Sequence, residues 1–364
     1  MNKALYILLM FTLLLPRTNE TDVGEETERL TEIRQVEEAL EEEERALSGE
    51  LRLDGSYDAA GALARLWESF LTHLKESFHR ELGFALSLVG IAALCGLAGL
   101  FCPDKTIGEE LEIAACCMAA LLLGGSAGSV VREAEDALFR LSDYGKAAFP
   151  AFFSAVAACG TPVSASVKYA SVCFAVSLFM ELAQRLILPM IYAYLSVSFC
   201  SSISGNAMLN AAGRFLKWSA VTMMSLLAGG FSTYIGLSGA ISGSADAAAV
   251  KAAKTVISTT LPVVGGILSD SASTMLAAAS LIRNSAGVFC LIAVCLMCAG
   301  PFALLTVKML LLKGASVLSE MGGKRYAGLL SSAGNVMGML LGLVGCFALM
   351  LFFSFMCGIR MGTG

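Results

Sequence analysis

Two charged side chains in the middle of an apolar segment are the first candidates for chemistry in this sequence. Glu181 and Arg185 are four residues apart, a spacing that puts both on one face of a helix, where they can form an ion pair. Charged groups inside a membrane are functional candidates by default. A purely structural pair near a helix end beside Pro189 is the alternative, and both interpretations stay open.

A second candidate is the stretch LPVVGGILSDSASTMLAAASLIRN, residues 261–284, which is apolar but contains helix breakers and five hydroxyl groups. A proline removes a backbone donor, and a Gly-Gly pair permits a sharp turn. A serine and an aspartate suit the start of a helix over 271–282. We therefore predict a hairpin of two short helices that lines a pore or gate, with a structural or external turn as the alternative. Its residues are Pro262, Gly265, Gly266, Ser269, Asp270 and Asn284, with the turn at Gly265 to Ser269 and Asn284 at the end of the second helix.

No catalytic or cofactor-binding set is recognisable. His73 and His79 are the only histidines, and the acidic residues around them lack metal-ligand spacing. The sequence has no nucleophile motif, phosphate loop or HExxH. All twelve cysteines lie in apolar runs, which favours small buried side chains over disulfides. We therefore expect no enzyme activity, no metal and no cofactor.

Composition indicates a multi-span membrane protein. The chain is 56% hydrophobic and 15% charged, whereas a soluble domain has about a quarter of its residues charged. Residues 20–82 contain 18 acidic and 7 basic side chains, and residues 83–364 contain 12 acidic and 16 basic ones. A short acidic front therefore precedes a long body that must lie mostly in lipid.

Four regions follow one another along the chain. Residues 1–19 combine Lys3 with an apolar run too short to span a bilayer, which predicts a signal peptide, with an uncleaved anchor as the alternative. Residues 20–60 form an acidic extracytoplasmic segment. Residues 61–82 have apolar side chains at i, i+3, i+4 and i+7, which predicts an amphipathic helix along the outer membrane face or against the protein's own body. Residues 83–360 form the multi-span membrane domain.

The apolar blocks of the membrane domain predict an all-α fold with six to eight spans and one or two broken or re-entrant helices. Pro150 and Pro262 are 112 residues apart, and so are Pro189 and Pro301. This spacing suggests an internal duplication, although direct identity at that offset is low. The two repeats would be residues 149–241 and 261–357.

Glycines and basic residues add two expectations about the membrane domain. Gly334, Gly338 and Gly342 recur every fourth residue, a pattern that permits close packing against another helix of the chain or of a partner. The basic residues cannot all lie on one side if each apolar block crosses once, which favours re-entrant segments. These are Arg214 and Lys217, Lys251 and Lys254, Lys308 and Lys313, Lys324 and Arg325, and Arg360.

The run TLPVVGGILSDSASTMLAAASLIRNSAG, residues 260–287, resembles the signature segment of the stage III sporulation protein AE family. Residues 61–101, a Leu/Phe-rich helix that leads into a first span, are similar to the start of that family. The resemblance covers most of residues 60–357, and the short, glutamate-rich front departs from the family pattern. It is strongest at Pro262, Gly265, Gly266, Ser269, Asp270, Asn284 and Gly287.

This resemblance implies a function as well as a fold. Proteins of the family are made in the mother cell and lie in the membrane around the engulfed forespore. They belong to a complex that resembles specialised secretion machines and acts as a channel, or feeding tube, for the forespore. The implied partners are membrane lipid and the other proteins of the stage III sporulation A operon, including a secretion-type ATPase, without nucleic acid. A stand-alone secondary transporter or permease is the alternative.

Overall fold

The computed structural model describes residues 59–101, 105–158, 162–231, 233 and 265–360, and every regular element in these ranges is a helix. The predicted signal peptide and nearly all of the acidic segment lie outside them. The helices are α1 (Ala59–Phe101), α2 (Lys105–Ala158), α3 (Pro162–Leu182), α4 (Leu188–Ser204), α5 (residues 207–231), α6 (Gly265–Leu318) and α7 (Lys324–Arg360). A π-helical turn, Ala183–Ile187, joins α3 to α4, and a 3₁₀ turn, Ser319–Gly322, joins α6 to α7.

The all-helical membrane fold is confirmed. Within the described residues, five helical segments are long and apolar enough to cross a membrane. All five, at 33 to 49 residues, are longer than the roughly 20 residues that a bilayer needs. The segments are Trp67–Gly99, Thr106–Ser154, Ala165–Ser204, Cys290–Gly322 and Lys324–Ile359.

Two predicted boundaries do not exist as helix ends. α1 continues through Gly83, so the amphipathic stretch 61–82 and the first apolar stretch are one helix. The stretch is helical as predicted but does not end before the first apolar stretch, and its position along the membrane face or against the protein's own body stays a prediction. α2 continues through Pro150 and α6 through Pro301, so the block that was expected to begin at residue 149 starts inside a helix. Single glycines and prolines are tolerated here because a continuing helix keeps most backbone groups paired where water is scarce.

The π-helical turn before Pro189 has a local cause. Pro189 lies at the second position of α4, and the ring of a proline inside a helix clashes with the carbonyl four residues earlier. That carbonyl belongs to Arg185, which lies in the π turn. Widening the helix at Ala183–Ile187 accommodates the ring without interrupting the path from α3 to α4.

α6 and α7 form a close antiparallel hairpin. A Cβ atom at Gly334 would lie 3.0 Å from Lys313 Cγ, and one at Gly338 would lie 3.2 Å from Met309 Sδ. Residue numbers rise along α7 as they fall along α6, which defines the antiparallel direction. α7 also packs against α2, α3 and α4, so it lies at the centre of the bundle. Its fully buried side chains include Tyr326, Leu329, Leu330, Val336, Leu340, Leu343, Val344, Phe347, Leu351 and Phe355.

Gly342 does not belong to the glycine face that contacts α6. Nothing lies within 4 Å of its Cβ position, whereas a Cβ at Gly345 would lie 3.4 Å from Phe302 Cζ. Successive residues advance about 100° around a helix, so Gly342 lies about 80° from Gly334 and Gly345 only about 20°. Residues spaced four apart shift steadily around a helix, so the side of α7 that contacts α6 continues at Gly345 rather than at Gly342.

Two turns between helices lie at one end of the bundle, beside the last turns of α1 and the first turns of α2. A Cβ atom at Gly96 of α1 would lie 2.8 Å from the carbonyl oxygen of Met321, in the α6–α7 turn. A Cβ atom at Gly205, in the α4–α5 turn, would lie 3.2 Å from the guanidinium carbon of Arg325. Gly205 ends α4 in the left-handed conformation, with φ of 65°. We call residues 96–101, 105–112, 204–207 and 318–325 the turn end.

The turn end brings together two of the basic groups that gave conflicting orientations. Lys313 lies five residues before the end of α6, about 8 Å of helix. Lys324 and Arg325 are the first residues of α7. Arg214 and Lys217 lie nine and twelve residues beyond Gly205 in α5, about 14 to 18 Å along that helix, and so lie away from the turn end. The re-entrant segments that the basic residues favour stay a prediction.

Glu112 of α2 caps the first turn of α7. Its carboxylate oxygen accepts the backbone N–H of Arg325 at 2.6 Å. A carboxylate is favourable here because unpaired N–H groups give a helix N-terminus a partial positive charge. Gly323, with φ of 124°, lies directly against the Glu112 side chain, so a side chain at this position would displace the cap.

α1 contacts the α6–α7 turn through backbone atoms. A Cβ atom at Gly322 would lie 2.8 Å from both Cα and the carbonyl oxygen of Ala92. One helical turn away, the buried hydroxyl of Tyr326 donates to the carbonyl of Leu88 at 2.7 Å. Leu88, Ala92 and Gly96 are four residues apart, so one face of α1 holds the turn.

We predict that Gly322→Ala destabilises the protein by about 1 to 3 kcal/mol, because the new methyl group would overlap backbone atoms of α1 that cannot rotate away. Gly328→Ala in α7 is the control, since nothing lies within 4 Å of that Cβ position. The control should be neutral or stabilising by up to about 1 kcal/mol. Thermal unfolding in detergent measures both variants, and equal melting temperatures would refute the close contact.

Candidate functional site

The residues of the predicted hairpin do not form one. Pro262 lies outside the described residues. Gly265 and Gly266 are the first residues of α6, and Ser269 and Asp270 are already inside that helix rather than at its cap. α6 also continues past Asn284 to Leu318, so neither the turn at 265–269 nor the end at Asn284 exists. The physical reason is again that an unbroken helix satisfies its own backbone groups, which favours continuation over a turn in apolar surroundings.

Glu181 and Arg185 do pair, but on the outer surface of the bundle. Arg185 Nε lies 2.6 Å from Glu181 Oε1, and the two side chains are 79% and 55% exposed. Arg185 lies in the π turn, and Glu181 lies just before it. The pair therefore faces whatever surrounds the bundle and is not part of its interior.

A different ion pair, between Glu81 of α1 and Lys308 of α6, lies inside the bundle. Lys308 Nζ lies 3.2 Å from Glu81 Oε2, and the exposed fractions are 11% and 13% for Lys308 and Glu81. Lys308 also donates to the hydroxyl of Ser126, in α2, at 3.3 Å. We call Glu81, Ser126 and Lys308 the polar node, and it joins three helices.

Apolar side chains surround the polar node. It lines a small cavity of about 10 Å³, which is room for about one water molecule. The low polarity of this lining strengthens the attraction between the two charges and raises the cost of leaving either one alone. The other lining residues are Phe84, Ala85, Leu123, Ala127, Leu195, Leu311, Leu312, Ala333 and Met337.

The polar node lies deep along the helices. Lys308 is ten residues before the end of α6, about 15 Å from the turn end. Ser126 is fourteen residues beyond Glu112, about 21 Å along α2. Along α1, Glu81 is fifteen residues before Gly96, about 22 Å from the turn end.

Only one of the three residues of the polar node, Lys308, stands out in the sequence. Lys308 stands out as a single charge in the apolar run ALLTVKMLLL, and that signal could have singled it out as more than a guide to orientation. Glu81 looks like the last polar residue before a span, and Ser126 lies among small residues. Their partnership depends on packing between segments that are 227 and 182 residues apart.

Comparison with known proteins gives the family of the chain. A family model described as stage III sporulation protein AE matches residues 55–362. The chain belongs to the stage III sporulation protein AE family. The match includes the whole polar node, α6 and α7, and it supports a role in sporulation for this membrane protein.

A curated relative belongs to the same family. The chain is 21% identical over 194 residues to stage III sporulation protein AE of Bacillus subtilis (strain 168). The aligned region covers 53% of this chain and 49% of the relative, so the match spans about half the length of that protein. No solved structure matches the chain.

We predict that Lys308→Met lowers stability by at most about 3 to 5 kcal/mol, because it removes the buried partner of the Glu81 carboxylate and leaves only the largely exposed Arg80 beside it. Arg185→Met is the matched control, since it breaks an exposed pair worth at most about 1 kcal/mol. Melting temperature in detergent and the yield of folded protein measure the difference. Equal losses in the two variants would contradict the buried character of the node.

Proposed function

We propose that this chain is a multi-span membrane component of the sporulation channel complex that links mother cell and forespore after engulfment. The family match over residues 55–362 is the observation that carries this proposal. The long apolar helices support a location in the membrane, since five described segments are long and apolar enough to cross a bilayer. The chain is then located in the mother-cell membrane around the forespore.

In this proposal the other proteins of the stage III sporulation A operon are the partners, and one of them is a secretion-type ATPase. The chain itself has no enzymatic role, because its sequence offers no phosphate loop and no nucleophile motif. Energy from ATP therefore reaches it through contact with another subunit.

The packing of the bundle supports a role as a wall or scaffold rather than as a complete pore. The centre of the described bundle is occupied by α7, whose Val336, Leu340 and Leu343 are fully buried. Close-packed side chains leave no water-filled path along that helix. A conduit in the complex therefore forms between several subunits, with this chain as part of its lining.

The signal peptide predicts the orientation of the bundle. If residues 20–58 are exported, α1 enters the membrane from outside and its carboxyl end, with the turn end, lies in the cytoplasm. The basic side chains of Lys324 and Arg325 would then face the cytoplasm, where a secretion-type ATPase works.

A stand-alone secondary transporter is the second candidate, and the polar node is the observation in its favour. Ionisable groups deep in a membrane bundle often mark the path of an ion or substrate. In that case the chain acts alone, and its activity does not depend on the operon partners.

Deletion of the chain in its own organism tests the proposed function. We expect engulfment to finish normally and heat-resistant spores to be lost, because the forespore is no longer sustained. Expression of the unmodified chain from a second locus should restore spores. Normal spore counts in the deletion strain would contradict a role in the complex.

Affinity purification from sporulating cells separates the two candidates. A component of the complex should co-purify with the ATPase and the other operon proteins after gentle solubilisation. Recovery of the chain alone, together with uptake of a solute by liposomes that contain only this protein, would favour the transporter.

The first turns of α6 provide a test of the conduit lining. Residues 269 and 271 lie about 200° apart around a helix axis, so a helix that lines a wet path exposes only one of them. In a cysteine-free background we predict that one of Ser269→Cys and Ser271→Cys reacts with a small polar thiol reagent. Asp270→Asn should lower spore counts, because it removes a charge from that path while keeping the size of the side chain.

Two results would contradict this role for α6. Reaction at both positions or at neither would show that the helix does not separate water from protein or lipid. Normal spore formation by Asp270→Asn would show that its charge is not needed for passage. The conduit lining would then have to lie on another helix or another subunit.

A further inference from the structure

Two cationic side chains of α5, Arg214 and Lys217, lie at a level of the bundle where another helix exposes leucine. Arg214 is nine residues beyond Gly205, about 14 Å from the turn end. Leu121 of α2 is nine residues beyond Glu112, at the same distance, and it is 79% exposed. Exposed leucine at this level indicates contact with lipid on the α2 side, so the cations of α5 need a different environment.

The two distances start from the same level of the bundle, because Gly205 and Glu112 both contact Arg325. α5 then runs back beside α4. A Cβ atom at Gly213 would lie 3.8 Å from Val197 Cγ1. Gly213 is eight residues after Gly205, and Val197 is eight residues before it, so the two helices are antiparallel. Arg214 is therefore carried away from the turn end along the side of the bundle that α4 and α5 form.

α5 has three faces along its length. The buried residues lie within about 40° of one another around the helix axis, and they are Gly213, Ala220, Met224 and Phe231. The opposite side exposes large apolar side chains, which are Met208, Phe215, Trp218 and Leu226. Between these two faces lies a third one, about 80° wide, which is mostly polar and is exposed or half-buried. Its residues are Asn210, Arg214, Lys217, Val221 and Ser225, and we call them the α5 stripe.

The charges of the α5 stripe are not balanced by nearby acids. Residues 188–231, which form α4, α5 and the turn between them, contain no aspartate or glutamate. In the described part of the chain, no ion pair involves Arg214 or Lys217. Cations close to a helix end can reach the membrane surface, but these two are the eighth and eleventh residues of a helix of 25. Two unpaired cations in the middle of a helix therefore require water.

We propose that the α5 stripe faces the water-filled path of the complex and favours the passage of small anionic solutes. This inference rests on the proposed function, since it needs a conduit to which the chain contributes part of the wall. Rings of arginine and lysine side chains line pores that pass anions and phosphates. Several copies of this chain around one path would supply such a ring. A wall with one sign of charge raises the local concentration of the opposite charge by about tenfold or more.

Thiol labelling tests whether the α5 stripe faces water. In a cysteine-free background, Val221→Cys keeps both cations and places a thiol on the stripe, about 24 Å from the turn end. In opened membrane sheets from sporulating cells, we expect this thiol to react with charged methanethiosulfonate reagents, which do not enter lipid. Ser225→Cys, one turn further along the stripe, is a second probe. Leu121→Cys is the control, and it should not react although it lies closer to the turn end.

A pair of reagents of opposite charge tests the preference for anions. The measured quantity is the rate of reaction of Val221→Cys with a sulfonate reagent divided by its rate with a trimethylammonium reagent. Arg214→Gln with Lys217→Gln should lower this ratio by about tenfold. Arg185→Gln, which removes an exposed cation outside the stripe, should leave the ratio unchanged. An unchanged ratio in the double variant would overturn the proposal, and so would equal labelling of Val221→Cys and Leu121→Cys or no labelling of either stripe position.

A subunit that covers the α5 stripe would give a different labelling pattern. If the thiols react only in membranes that lack the other operon proteins, the stripe binds a partner chain, and the water-filled path along α5 is refuted.

Cells provide a second readout. Arg214→Gln with Lys217→Gln should accumulate to the normal level and yet lower the number of heat-resistant spores by at least about tenfold, the loss expected if the charges concentrate the solute. Normal spore counts in this variant would overturn the inference. If the deletion strain loses its spores and the double variant does not, only the role of the α5 stripe fails. If the deletion strain itself forms normal spores, the proposed function fails.

Discussion

The structure depends on how the turn between α6 and α7 is closed. Backbone groups in a turn lack helical partners, and leaving them unpaired away from water costs several kcal/mol each. Here Gly323 adopts a conformation that favours glycine, and the Glu112 carboxylate accepts the backbone N–H of Arg325, two residues further on. Ala92 packs directly on Gly322, and the Tyr326 hydroxyl pairs with the carbonyl of Leu88 in α1. The turn is therefore satisfied by two other helices.

The position of the polar node follows from this arrangement. With the turn held against α1, the helix has a defined register beside α6, and that register brings Glu81 to Lys308. One end of α1 is thus fixed by close backbone contact, and the other anchor is a pair of charges. The node therefore joins α1, α2 and α6 at a distance from the turn end.

Local patterns in the sequence predict the local features well. Apolar content indicates the membrane helices, and a spacing of four correctly pairs Glu181 with Arg185. The continuity of α1 through Gly83 and of α6 through Asp270 is not predictable in the same way. In apolar surroundings an unbroken helix satisfies the backbone hydrogen bonds, so residues that usually end a helix do not end it there. The partnership of Glu81 with Lys308 depends on tertiary packing, and no local pattern encodes it.

Disulfide formation between α6 and α7 tests the central claim most directly. A Cβ atom at Gly334 would lie 3.6 Å from Leu312 Cβ, within the range of about 3.5 to 4.5 Å that disulfides require. Leu312→Cys with Gly334→Cys, in a cysteine-free background, should crosslink on mild oxidation, as measured by mass spectrometry of the digested protein. Leu312→Cys with Gly342→Cys, about 12 Å further along α7, should not. Crosslinking of the second pair, or of neither, would contradict the hairpin on which the account rests.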